Sequence, residues 1–188
     1  MPLTTYTAGE VLTAASLNAN LSFAASSPAS GLTLISTTTI GTTVSTVTVS
    51  SAFSATYDNY KIIVNGGLAS TNTYLKMTLG ATTTGYYYGE IYKVYGGALN
   101  SDTLANGAFW FAGPAKPNGL ISNMDIQNPF LSARTSYEMN SGSPLTTGEV
   151  SFVGGFLDNA TSYTAFTLAP NSGTITGGTI RVYGYANS

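Results

Sequence analysis

The 188-residue chain contains no cysteine and no histidine. Disulfides, thiolate nucleophiles, imidazole metal ligands and a histidine general base are therefore excluded. Charge is scarce as well. Asp, Glu, Lys and Arg make up 7% of the residues and leave a formal net charge of -2, whereas an ordinary soluble domain carries about 25% charged residues. The basic residues Lys61, Lys76, Lys93, Lys116, Arg134 and Arg181 are scattered along the chain. They form no stripe able to neutralise several phosphates, so nucleic acid is not an expected partner. No run approaches the ~20 apolar residues of a membrane span. The start, Met1-Pro2-Leu3-Thr4-Thr5, lacks the basic and apolar regions of a secretory leader, so neither membrane insertion nor conventional export is expected.

What is present is a foldable, polar but nearly uncharged composition. Hydrophobic residues make up 43% and aromatics 12%, which argues against disorder. Helical grammar occurs only near the N-terminus. Thr13 is placed to cap a turn running from Ala14 to about Leu21, with Leu17 and Leu21 four residues apart on one face and Phe23 just beyond. Residues 24–31, Ala-Ala-Ser-Ser-Pro-Ala-Ser-Gly, read as a small-residue linker. The predicted organisation is an N-terminal segment and linker over 1–31 and a β-domain over 32–188.

Beyond the linker, β-branched and aromatic runs alternate with Gly, Asn, Asp, Ser and Pro. The runs at 32–39 and 43–49 alternate apolar with hydroxyl residues, as half-buried strands do. Further strands are predicted at 60–64, 74–79, 86–95, 108–111, 120–126, 135–139, 149–153, 163–168 and 179–185. About ten strands in ~155 residues predicts an all-β fold, a jelly-roll-like antiparallel β-sandwich. An immunoglobulin-like sandwich is the second choice because it needs fewer strands and fewer residues. No internal repeat points to a β-helix.

The opening Tyr6-Thr-Ala-Gly-Glu-Val-Leu-Thr-Ala-Ala-Ser-Leu-Asn-Ala-Asn20 resembles the "TAG-(D/E)-x-LTA-x-x-LN" start of tailed-bacteriophage virion proteins. In that group it precedes tail-fibre or head-surface domains. A second likeness lies in Phe53-Ser-Ala-Thr-Tyr-Asp-Asn-Tyr-Lys-Ile-Ile-Val64 and Gly177-Gly-Thr-Ile-Arg-Val-Tyr-Gly-Tyr185, which resemble the opening and closing strands of phage fibre-tip sandwiches. The resemblance implies a structural protein on the virion surface, head or tail. It would be docked through Val11, Leu12, Leu17, Leu21 and Phe23, and would display its β-domain as a short fibre or receptor-binding appendage. It also implies a homotrimer that contacts other virion proteins and a host cell-surface glycan. Capsid decoration or a head fibre is the alternative, and a bacterial surface adhesin a second one.

Candidate contact residues are the tyrosines Tyr86, Tyr87, Tyr88 and Tyr92, with Trp110 between two phenylalanines. Aromatic rings stack on sugar C–H faces while phenols hydrogen-bond. The competing reading places the same rings in the core or in a subunit interface, since alternation sends Tyr86 and Tyr88 to one face and Tyr87 to the other. Asp58-Asn59 reads as a turn, because a calcium site needs six to eight oxygens and no dense carboxylate loop lies nearby. The acids Glu10, Asp58, Glu90, Asp102, Asp125, Glu138, Glu149 and Asp158 are dispersed. No serine nucleophile has an evident base. No catalytic activity, cofactor or metal is expected.

Overall fold

In the computed structural model, residues 5–11, 13–26, 31–142 and 148–187 are described, the side chains of 23–26 excepted. Among the described residues, one helix, α1 (Ala14–Ser26), precedes fourteen strands. In chain order these are β1 (Leu32–Thr39), β2 (Val47–Val49), β3 (Asn59–Asn65), β4 (Leu68–Ala69), β5 (Thr73–Leu79), β6 (Tyr86–Val94) and β7 (Leu99–Gly107). There follow β8 (Trp110–Lys116), β9 (Gly119–Gln127), β10 (Thr135–Gly142), β11 (Glu149–Leu157), β12 (Phe166–Pro170), β13 (Ile175–Thr176) and β14 (Thr179–Tyr185).

Helix α1 begins where its cap dictates. The Thr13 Oγ1 accepts the Ser16 N–H at 3.2 Å, and the Thr13 carbonyl accepts the Leu17 N–H at 3.0 Å, so the hydroxyl satisfies one of the donors every helix start leaves open. The helix runs five residues beyond the expected Leu21, through part of the segment read as linker. Ala24 and Ala25 are the strongest helix formers, and only Pro28, two residues past the last helical one, is a strong stop in the sequence. Residues 27–30 of the expected linker lie outside the described residues.

Four antiparallel pairs, β1 with β14, β2 with β12, β3 with β9 and β5 with β8, define the architecture. They order one sheet as β1-β14-β3-β9 and the facing sheet as β2-β12-β5-β8. This is the jelly-roll arrangement of two four-stranded sheets. Two inserted hairpins then widen the first sheet. The β10-β11 and β6-β7 hairpins add on beyond β9 in the order β9-β10-β11-β6-β7. A tight β8-β9 corner, Ala115 opposite Leu120, joins the two sheets. The small pair β4-β13 stands apart from both.

Alternation fills the core. Tyr60, Ile62 and Val64 of β3, Ile180 and Val182 of β14, Met124 and Ile126 of β9, and Tyr137 and Met139 of β10 all point inward. They meet Leu75, Met77 and Leu79 of β5 and Phe166 and Leu168 of β12. Strand β8 is buried on both faces and touches β6, β10 and β11 of the widened sheet. Trp110 stacks on Tyr137 with ring centroids 4.4 Å apart and meets the Tyr86 ring edge-on at 5.3 Å.

Three strands were invisible to the alternation argument. β4 and β13 are two residues each, and β7, Leu-Asn-Ser-Asp-Thr-Leu-Ala-Asn-Gly, is a polar edge strand held from one side only. Strand β8 was expected to end at Phe111 but passes through Gly113-Pro114. A register shift against β5 and a Gly113 φ of 105° accommodate the proline there. The expected strand from 43 starts only at Val47. Thr43 sits at φ 56°, its N–H bonded to Thr176 Oγ1 at 2.9 Å, and Val44 makes an isolated bridge to Ile175. Tyr163, expected to begin a strand, lies in the preceding loop with its hydroxyl hydrogen-bonded to that of Thr82.

Replacing Trp110 by alanine removes the ring on which β6 and β10 both pack. Trp110→Ala is expected to lower unfolding stability by about 3–5 kcal/mol, read as a fall in the midpoint of urea denaturation.

Candidate functional site

Two of the expected contact residues are out of reach of any ligand or partner. Tyr86 and Trp110 are fully buried, and their polar atoms are used internally. The Tyr86 hydroxyl accepts the Leu79 N–H at 2.8 Å and donates to the Thr82 carbonyl at 3.1 Å, while the Trp110 indole N–H donates to the Phe156 carbonyl at 3.3 Å. The interior position of these rings corrects their assignment to a glycan or subunit contact. Tyr88 and Tyr92 share the inner side of β6 with Tyr86 and are half-buried, Tyr88 tilted toward Phe111. Tyr87 alone faces outward, stacked parallel on Phe156 at 4.9 Å.

The docking residues divide differently. Val11, Leu17 and Leu21 are 80%, 42% and 58% exposed. Leu12 and the side chain of Phe23 lie outside the described residues. Just ahead of the helix, Thr7 and Glu10 close a turn. The Glu10 carboxylate accepts both the Thr7 N–H and its hydroxyl, and the Glu10 N–H donates to the Thr7 carbonyl. Gly9 within that turn has φ 92°, a conformation glycine adopts without penalty. The Thr-Ala-Gly-Glu motif therefore has a local structural reason for its glycine and its acid.

An open concavity lies on the outer face of the widened sheet, where the sequence did not point. One cross-strand row runs Thr103, Gly89, Gly154, Glu138, Asp125 and Lys61, from β7 over β6, β11, β10 and β9 to β3. Two glycines side by side leave the floor bare. Phe152 and Ile91 rise on one side, with Tyr87 and Phe156 on the other. The part lined by Gly89, Ile91, Glu138, Phe152 and Gly154 has a volume of about 580 Å³, and Glu138 links it to a second concavity lined by Asn59, Asp125, Gln127 and Tyr185. At that end Lys61 pairs with Asp125 at 3.0 Å, and the Tyr185 hydroxyl donates to the same carboxylate. Beside the Phe156 wall the Arg134 guanidinium lies 5.4 Å from the centre of the Phe156 ring.

Phe156 was missed because the strand was expected to stop at 153, before Gly154-Gly155, whereas Phe152 lay within the expected strand and was given no contact role. The signal was present all the same: Phe152, Gly154 and Phe156 recur with period 2, and so do Val153, Gly155 and Leu157 on the opposite face.

Among the described residues, no group of three or more His, Cys, Asp or Glu is placed to hold a metal ion. Searched against models of known protein families and against curated proteins, the chain matches none. The trough offers aromatic rings, amides, hydroxyls and carboxylates.

Glu90 is a buried carboxyl on the inner side of β6, opposite Asp102 across the strand pair. Burial pushes it up to about 7; a hydrogen bond from Ser151 opposes the rise, and Glu149 and Asp102 add to it. A folded-state value above the unfolded one means that the folded form holds the proton more tightly. The contribution of Glu90 to stability is therefore fully present below about pH 4.5 and is lost as pH rises through 7. Glu90→Gln removes this loss. The variant is expected to melt with the wild type at pH 4 and a few degrees above it at pH 8, measured by thermal denaturation across that range.

Proposed function

We propose that the chain is a non-enzymatic structural protein of a tailed-phage particle, held by its N-terminal segment and displaying the jelly roll as a short fibre or receptor-binding appendage. The observation that carries this reading is the state of the N-terminal segment. Helix α1 has thirteen residues, a length at which an isolated helix is only marginally stable in water, yet its Leu17 and Leu21, and Val11 ahead of it, are exposed. A capped helix with unburied leucines, behind a preformed Thr7-Glu10 turn, is suited to completion by another protein's surface. The likeness of the same residues to phage docking segments supplies the kind of surface. The displayed domain supports the second half of the reading, with its core closed by its own strands and its outer face bearing the aromatic trough.

Deleting residues 1–26 is expected to leave a folded, soluble β-domain with an unchanged melting curve that no longer joins the particle. Immunogold labelling of purified particles, scored on heads and tails, is the measurement. Label on tails that vanishes with the deletion is the expected result. Label over the head favours capsid decoration, label on phage-free cells favours a bacterial adhesin, and equal incorporation of the truncated chain overturns the docking role.

A further inference from the structure

Gly89 and Gly154 are direct cross-strand partners in the middle of two nine-residue strands. Glycine weakens a strand interior, so its presence there calls for a reason such as a bend, a bulge or the close approach of something else. The neighbouring Gly155 has one inside the fold: a Cβ there would collide with the Tyr87 carbonyl and the Tyr137 ring. Gly89 and Gly154 have none. Neither has a left-handed φ, and a Cβ on either would meet nothing within 4 Å. The fold would accept side chains at both positions and gain from them. What they preserve is the open floor of the trough.

The walls describe what lies on that floor. Phe152 and Ile91 are 65% and 56% exposed, and the Tyr87-Phe156 stack stands opposite. Flat apolar rings beside an open floor, leading to carboxylates and amides at one end, match the two sides of a sugar: its C–H face and its hydroxyl rim. Charge narrows the class. Glu138 and Asp125 line the polar end, and the Lys61 beside them is already engaged by Asp125, so at that end an anionic chain would meet carboxylates. The volume of about 580 Å³ falls within the range of small-ligand sites, about 300–1,000 Å³. A partner protein's strand would add along an edge, whereas this trough crosses the strands. From Thr103 to Asp125 it spans four strand spacings, roughly 19 Å at about 4.8 Å each, which suits several linked sugars rather than one.

The geometry points to a binding site for a neutral oligosaccharide, laid across β7, β6, β11, β10 and β9 on the Gly89-Gly154 floor. The site deepens the display reading above and rests on it for its biological role, but it is tested without particles.

The full-length protein is applied to a printed panel of neutral tetra- to octasaccharides built from glucose, galactose, mannose and rhamnose, with uronate- and sialate-containing counterparts. Wild type, Gly154→Val and Phe152→Ala are compared, each with its melting curve. The expected result is wild-type binding to neutral members, a loss of at least about tenfold in both variants, and a Gly154→Val melting temperature equal to or above wild type. Binding to no neutral member, binding to acidic members alone, or undiminished binding by both variants overturns the site. Should Gly154→Val fail to fold, Phe152→Ala, at a largely exposed side chain, decides alone. A negative panel with particle labelling intact removes the sugar site and leaves the display reading standing; sugar binding by a chain absent from particles does the reverse.

Discussion

The stacking of Trp110 on Tyr137 is the contact on which the rest of the molecule depends. A jelly roll closes with four strands against four, but here one sheet is twice as wide as its partner. The inner faces of β10, β11 and β6 would stand open to water if β8 did not lie beneath them. Trp110 covers them with one side chain, stacked on β10 through Tyr137, edge-on to β6 through Tyr86, and bonded to the β11 backbone at Phe156. Tyr137 returns the tie by donating to the Phe111 carbonyl of β8. Burying rings of this size contributes a large share of core stability, and stacked or edge-on geometry adds to it.

The same contact positions the outer face. A sheet has two sides but one backbone, so fixing Phe156 from within by its carbonyl also fixes where its ring stands without. Adjacent glycines show the division. Gly155, on the inner side, makes room for the Tyr137 ring directly across from it, while Gly154, one residue earlier and on the outer side, bares the trough. The eight jelly-roll strands supply a closed core, and the two inserted hairpins supply the surface that differs from it. The sequence β6-β7 enters between the paired strands β5 and β8, and β10-β11 between β9 and β12. Both insertions leave the hydrogen-bonded pairing of the jelly roll in place: β5 still pairs with β8, and β9 with β3.

How much of this was legible in the sequence depended on burial contrast. Strands with one face in the core, such as β3, β5 and β14, carry their alternation openly and were found nearly to the residue, whereas β1 was found at its bounds but leaves Leu32 and Leu34 exposed. The cap at Thr13 was equally plain, because capping is local chemistry. Where a strand is buried on both faces, as β8 is, or exposed on both, as β7 is, alternation vanishes and boundaries go with it. The expectation that Tyr86 and Tyr88 oppose Tyr87 held because it rested on strand geometry alone. The choice of which face meets solvent did not follow from that geometry, since it is decided by β8, whose partners are distant in sequence. The trough itself was hidden because glycines read locally as breakers, and only cross-strand register brings Gly89 beside Gly154.

The scarcity of charge bears on the edges of the widened sheet. Strand β7 ends it with nine residues that include one charged side chain, Asp102, and no Lys or Pro, the residues that ordinarily keep an open edge from pairing with another chain. Its protection is geometric. The β6-β7 register shifts between Tyr86 and Tyr88, Asn106 takes φ 54°, and Gly107 carries no side chain where the Leu104 side chain folds back. A bulge of this kind twists the strand end and breaks the straight run of free donors that a second strand would need. The low charge that leaves the trough fit for a neutral ligand is therefore tolerated because backbone shape, and not lysine, guards the edge beside it.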